Sequence, residues 1–151
     1  MSIFSPETIV LQLAAKDKQD ALTQLAKRIE AAGNIRAECF DNFMLSLIKR
    51  EEEFSTAVGY SYAIPHGKSP AVMAPAVAFA RLTQPILWDA EEDDWVENLF
   101  MIAVPATNAG DEHIKILTRL ATAIIDDEFR EQISQVNEIT EVIDIILKFT
   151  K

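Results

Sequence analysis

The chain contains two histidines, and their surroundings point to chemistry. His66 sits in Tyr62-Ala63-Ile64-Pro65-His66-Gly67, where an apolar run stops at a proline and opens onto a glycine. This pattern predicts an imidazole at the exit of a buried strand, on a turn that a ligand can approach closely. His113 opens a predicted helix in Gly110-Asp111-Glu112-His113-Ile114-Lys115, so both rings lie at ends of regular elements and could face one cleft. A neutral imidazole can attack an electrophile, take up a phosphoryl group and release it again. Such a group needs donors around it, supplied by a second imidazole, an arginine fork or a helix N-terminus. His113, Arg50 and the start of the helix at Glu112 are the candidates. Spacing alone leaves plainer alternatives: a strand-capping His66, a merely exposed His113, and an Arg50 that complements a helix dipole beside Lys49.

Other chemistries are less well supplied. Cys39 is the sole cysteine, has acidic or apolar neighbours that would not lower a thiol pKa, and reads as a small hydrophobe on a helix. A metal site from His66, His113 and Asp111 or Glu112 is a legitimate ligand set but lacks paired His/Cys spacing. The formal charge of −10 opposes binding to nucleic acid or anionic lipid and suits a basic protein partner. The acidic run Asp89–Asp94 reads as a solvated loop. No apolar stretch reaches a membrane span and the N-terminus lacks signal-peptide character, which predicts a cytoplasmic protein.

The elements that must position these residues follow from periodicity. Thr8–Leu13 is rich in β-branched residues and reads as a strand or turn. Lys18 to Ala32 places Ala21, Leu22, Leu25, Ala26 and Ile29 at helical spacing before Gly33-Asn34, and a second helix is predicted from Arg36 to about Arg50. Strands are expected after Pro75 to Leu82 and over Asn98–Pro105, the latter apolar enough to be covered on both faces. Helices are predicted over Glu112–Ile125, Asp127–Ile133 and Ile139–Phe149. With 151 residues, no repeat and no linker, the expected architecture is α/β: a single domain over residues 1–151, with a mixed sheet flanked by helices on both faces.

The stretch from Arg50 through Ala63-Ile64-Pro65-His66-Gly67 resembles the active-site signature of the IIA components of the fructose/mannitol (type 2) family of the bacterial phosphoenolpyruvate:sugar phosphotransferase system. The block Ala103 to Ala121, with Glu112-His113-Ile114, resembles that family's other histidine segment, and the similarity covers nearly the whole chain. The resemblance implies that His66 is phosphorylated, that His113 and Arg50 stabilise the phosphoryl group, and that the sheet is mixed. It implies a phosphocarrier protein as donor and a cysteine of a IIB domain as acceptor, with no cofactor or bound metal and with sugar choice residing in a separate membrane component. A nitrogen-related regulatory switch that binds target proteins is the alternative within the same fold. The single-domain length suggests a free-standing component. Tyr62 departs from the pattern, which usually has an aliphatic residue there. Apolar groups near Tyr60, Tyr62 and Ile64 are expected docking contacts.

Overall fold

Two strands at the centre of the chain organise everything else. In the computed structural model, which describes residues 3–107 and 112–151 and gives only the backbone of Glu112 and His113, β5 (Ala76–Asp89) and β6 (Asp94–Pro105) form a long antiparallel pair. Around them lie β1 (Ile9–Leu13), α1 (Lys18–Ala31), α2 (Phe40–Glu53), β2 (Ala57–Gly59), β3 (Tyr62–Ala63) and β4 (His66–Ser69). After β6 come α3 (Glu112–Ile125), α4 (Asp127–Gln135) and α5 (Ile139–Phe149). The sheet runs β1-β5-β6-β3-β2, and β4 also pairs with β6, following β3 along the same edge. Parallel β1/β5, β3/β6 and β4/β6 pairs beside antiparallel β5/β6 and β2/β3 make the sheet mixed, as expected.

Alternation along β5 and β6 sorts their side chains between two cores. Ala76, Ala78 and Ala80 with Leu99, Met101 and Ala103 face α1 and α2, while Val77, Phe79, Phe100, Ile102 and Val104 face α3, α4 and α5. The alanines let α1 and α2 approach the sheet closely; the opposite face is filled by rings, with Phe79 and Phe129 flanking Phe100 at centroid distances of 4.9 and 6.4 Å. Each such pair adds about 0.5–1.5 kcal/mol beyond its buried area. Asp17 caps α1 by accepting from the Asp20 N–H at 2.8 Å, and α1 buries the five residues its spacing predicted.

Several boundaries differ from expectation. The second helix starts at Phe40, after a 3₁₀ turn over Ala37–Cys39, and runs past Arg50 to Glu53, so Cys39 is a half-buried cap residue. The strand expected to end at Leu82 continues to Asp89, because a register shift between Arg81 and Ile86 absorbs Pro85. The acidic run is the tip of the β5/β6 hairpin, where Asp93 has φ 53°. His66 begins a strand rather than lying on a turn, since Gly67 to Ser69 pair in register with Ala103 to Pro105.

Candidate functional site

Arg50 and His66 come together because α2 packs directly against β4. Gly67 makes that contact possible: a Cβ there would overlap Ser46 Oγ and stand 3.3 Å from both the Leu47 nitrogen and Phe43 Cε1. Half-buried His66 therefore sits against the last turns of α2, with Arg50 Nε donating to His66 Nε2 at 3.2 Å. A guanidinium only donates, so Nε2 is the acceptor and the ring is the neutral tautomer carrying its proton on Nδ1. Nδ1 in turn donates to the Ile64 carbonyl at 2.9 Å. Arg50 is itself oriented, Nη1 donating to the Phe54 carbonyl at 2.7 Å.

Ser46, Arg50, His66, Gly67, Lys68 and Val104 line a cavity of about 170 Å³. This is room for about six waters at roughly 30 Å³ each, smaller than the ~300 Å³ typical of a small-molecule pocket. It suits a compact group presented by another molecule. Arg50 and exposed Lys68 make the lining cationic on a chain of net charge −10. Sequence reasoning missed Ser46 and Lys68. Ser46 stands four residues before Arg50 on one helix face and Lys68 two residues after His66 on one strand face, so helical and strand periods were the available signals.

His113 lies in the first turn of α3, but its side chain is outside the described residues, as are Asp111 and the side chain of Glu112. The expected docking contacts divide. Tyr60 is 54% exposed, whereas Tyr62 and Ile64 are 3% and 1% exposed and cannot serve. Tyr62 stacks on Phe100 with centroids 6.1 Å apart, and burial pushes its hydroxyl above the ordinary phenol range, partly opposed by Arg130 and Arg81. On the same stretch of chain, Phe54 at 77% and Val58 at 41% are exposed apolar side chains. Among the described residues, no helix is long and apolar enough to cross a membrane.

A histidine with a fixed tautomer, an arginine on its nucleophilic nitrogen and a small cationic cavity can accept and hold a phosphoryl group. In comparison with known proteins, residues 2–149 match the family described as the phosphoenolpyruvate-dependent sugar phosphotransferase system, EIIA 2. The chain belongs to that family. It is 35% identical over 140 residues to a "PTS system fructose-specific EIIA component" of Haloferax volcanii, covering 93% of this chain and 89% of that one. It is 34% identical over 132 residues to a "Nitrogen regulatory protein" of Bradyrhizobium diazoefficiens, covering 87% of this chain and 83% of that one. Its fold superposes on the nitrogen regulatory protein IIA-Ntr of Neisseria meningitidis with a TM-score of 0.83 at 28% identity, over 95% of this chain and 96% of that one. Two EIIABC relatives, from Escherichia coli and Bacillus subtilis, are much longer, and the chain spans 21% and 23% of their lengths. Membership makes this chain a phosphotransfer component with the general role of a phosphoryl carrier.

Proposed function

We propose that the chain is a single-domain, cytoplasmic carrier of a sugar phosphotransferase system and that His66 Nε2 carries the phosphoryl group. The carrying observation is the pair of hydrogen bonds that fixes the ring: Nδ1–H to the Ile64 carbonyl and Nε2 to Arg50 Nε. In the first step, Nε2 attacks the phosphorus of a phosphohistidine on the phosphocarrier protein; the new N–P bond forms as the donor's N–P bond breaks and its electron pair returns to the donor imidazole. Arg50 then exchanges its bond to Nε2 for bonds to phosphoryl oxygens, so the same donor serves both states. In the second step a cysteine thiolate of a IIB domain attacks the phosphorus and His66 is released neutral. Positioning and charge stabilisation supply most of what such a transfer needs. His113 takes the phosphoryl-stabilising role that the family resemblance implies.

A regulatory reading has its own support in the nitrogen regulatory relative and the IIA-Ntr fold match. In that reading the chemistry at His66 is the same and the second partner is a target protein instead of IIB. The deciding experiment is transfer of label from phosphoenolpyruvate through Enzyme I and the phosphocarrier protein to wild type, His66→Ala, His113→Ala and Arg50→Ala. Acid-labile, base-stable label on wild type, none on His66→Ala and slower labelling of the other two is the expected result. Label persisting on His66→Ala would remove the assignment, and labelling only by a nitrogen-branch donor would favour the regulatory reading.

A further inference from the structure

A second polar cluster lies beside the site; it traces by hydrogen bonds to Nδ1 of His66 and adjoins, along the chain, the arginine that holds Nε2. The Glu51 side chain, only 6% exposed, forms an ion pair with Lys18 Nζ at 2.9 Å. It also accepts from the Thr56 hydroxyl and, at 3.3 Å, from the Thr56 N–H. Buried Trp88 donates its indole N–H to Thr56 Oγ1 at 3.3 Å, and Lys18 Nζ donates to the Trp88 carbonyl at 3.2 Å. The four residues come from α1, α2, the segment after α2 and β5, and they close a ring of contacts in which every charge has a partner.

From Thr56 the chain of bonds runs to the imidazole. The Thr56 carbonyl accepts from the Ile64 N–H at 3.0 Å, and the Ile64 carbonyl accepts from His66 Nδ1. On the other side, Glu51 and Arg50 are consecutive on α2, and together they fold the exit segment back over the helix end: Arg50 holds the Phe54 carbonyl while Glu51 holds Thr56. A helix ending in three glutamates is poorly matched to its own dipole, and an isolated buried carboxylate would be costly. Lys18 offsets both penalties at Glu51.

Resting on the carrier reading above, we propose that Thr56, Glu51, Lys18 and Trp88 are positioning residues: they hold the Ile64 peptide and Arg50 so that His66 keeps its Nδ1–H tautomer and presents Nε2. None touches the phosphoryl group. They act on the fraction of protein whose ring is ready to react, and so on the transfer rate at saturating donor more than on donor binding. Thr56→Val keeps the shape and both backbone bonds but deletes the hydroxyl, and Thr56→Ser puts it back.

The test combines transfer kinetics from the phosphorylated phosphocarrier protein with ¹⁵N NMR of the His66 ring at pH 8.5, where an unperturbed imidazole is neutral. In Thr56→Val we expect about a tenfold lower rate at saturating donor, half-saturation changed less than about twofold, and a measurable shift toward the Nε2–H tautomer. Thr56→Ser should recover both. A variant with a lower melting temperature but wild-type rate and wild-type tautomer ratio would overturn the proposal. If Thr56→Val does not fold, Glu51→Gln combined with Lys18→Met removes both charges together and is judged by the same two readouts. If wild type takes no label, the carrier reading fails, and the tautomer comparison still decides whether these residues orient the ring.

Discussion

Replacing Gly67 with alanine introduces a methyl group at the tightest contact of the site. The backbone of Gly67 is not in the left-handed region, so alanine incurs no dihedral penalty, and the unfolded chain loses entropy worth about 0.4–1 kcal/mol in favour of folding. Against this stands the packing. The new Cβ would overlap Ser46 Oγ and press on the Leu47 nitrogen and the ring of fully buried Phe43, both at 3.3 Å. A serine hydroxyl can rotate away, but a helix backbone and a core ring give by only tenths of an ångström. Overpacking of this kind costs about 1–3 kcal/mol, leaving a net loss near 1.5 kcal/mol after the entropy gain, or about 3–6 °C in Tm for a chain of this size. Because β4 is pushed off α2, the Arg50–His66 bond lengthens and phosphoryl acceptance slows as well. Ser46→Ala forfeits the Ser46 Oγ bond to the Phe43 carbonyl, 2.6 Å, at about 1 kcal/mol, yet it removes the overlapping atom. The double variant should therefore be more stable than additivity allows by about 1 kcal/mol. Urea unfolding of the four proteins measures this. A Gly67→Ala loss below about 0.5 kcal/mol, or strict additivity with Ser46→Ala, would refute the reasoning.

Two further outcomes follow from groups outside the Arg50–His66 cavity. Burial raises the folded-state pKa of Tyr62, so its contribution is fully present below the ordinary phenol value and is lost as pH rises past it; relative to Tyr62→Phe, wild type should lose about 1.4 kcal/mol per pH unit above about pH 10. Parallel stability curves for the two proteins would contradict this. Arg130 caps α3 by donating to the Ile124 and Ile125 carbonyls at 2.7 and 3.1 Å, and its guanidinium lies 4.0 Å over the Tyr60 ring. Arg130→Ala should cost about 1–3 kcal/mol, of which a double-mutant cycle with Tyr60→Ala assigns about 0.5–1 to the stacked pair. A coupling near zero would show that the pair is incidental.

The apolar stripe of α1, the doubly covered β6 and the three C-terminal helices were legible because each follows from a period within one segment. Arg50 was a candidate from its residue type and the resemblance singled it out, but its approach to His66 carried no local signal, since 16 positions and two intervening strands, β2 and β3, separate them. What was not legible depends on contacts between distant segments. The strand was expected to end at Leu82, yet β5 runs on through Pro85 because β6 supplies the partner across a register shift. Docking contacts were expected around Tyr62, but β3 lies between β2 and β6 and the Tyr62 side chain stacks on Phe100 in the core. Glu51 opens the run Glu51-Glu52-Glu53, and only its pairing with Lys18, 33 positions earlier, explains why its side chain is buried. Gly67 looked like a turn glycine, whereas its function here is to leave space for Ser46.

The most direct test of the central claim is ¹⁵N NMR of ring-labelled protein after enzymatic phosphorylation, with coupling to ³¹P read on each imidazole nitrogen. The geometry predicts coupling on Nε2 of His66 with Nδ1 still protonated and held by the Ile64 carbonyl. Phosphorus on Nδ1 of His66, or on another residue while His66 stays unmodified, would contradict it.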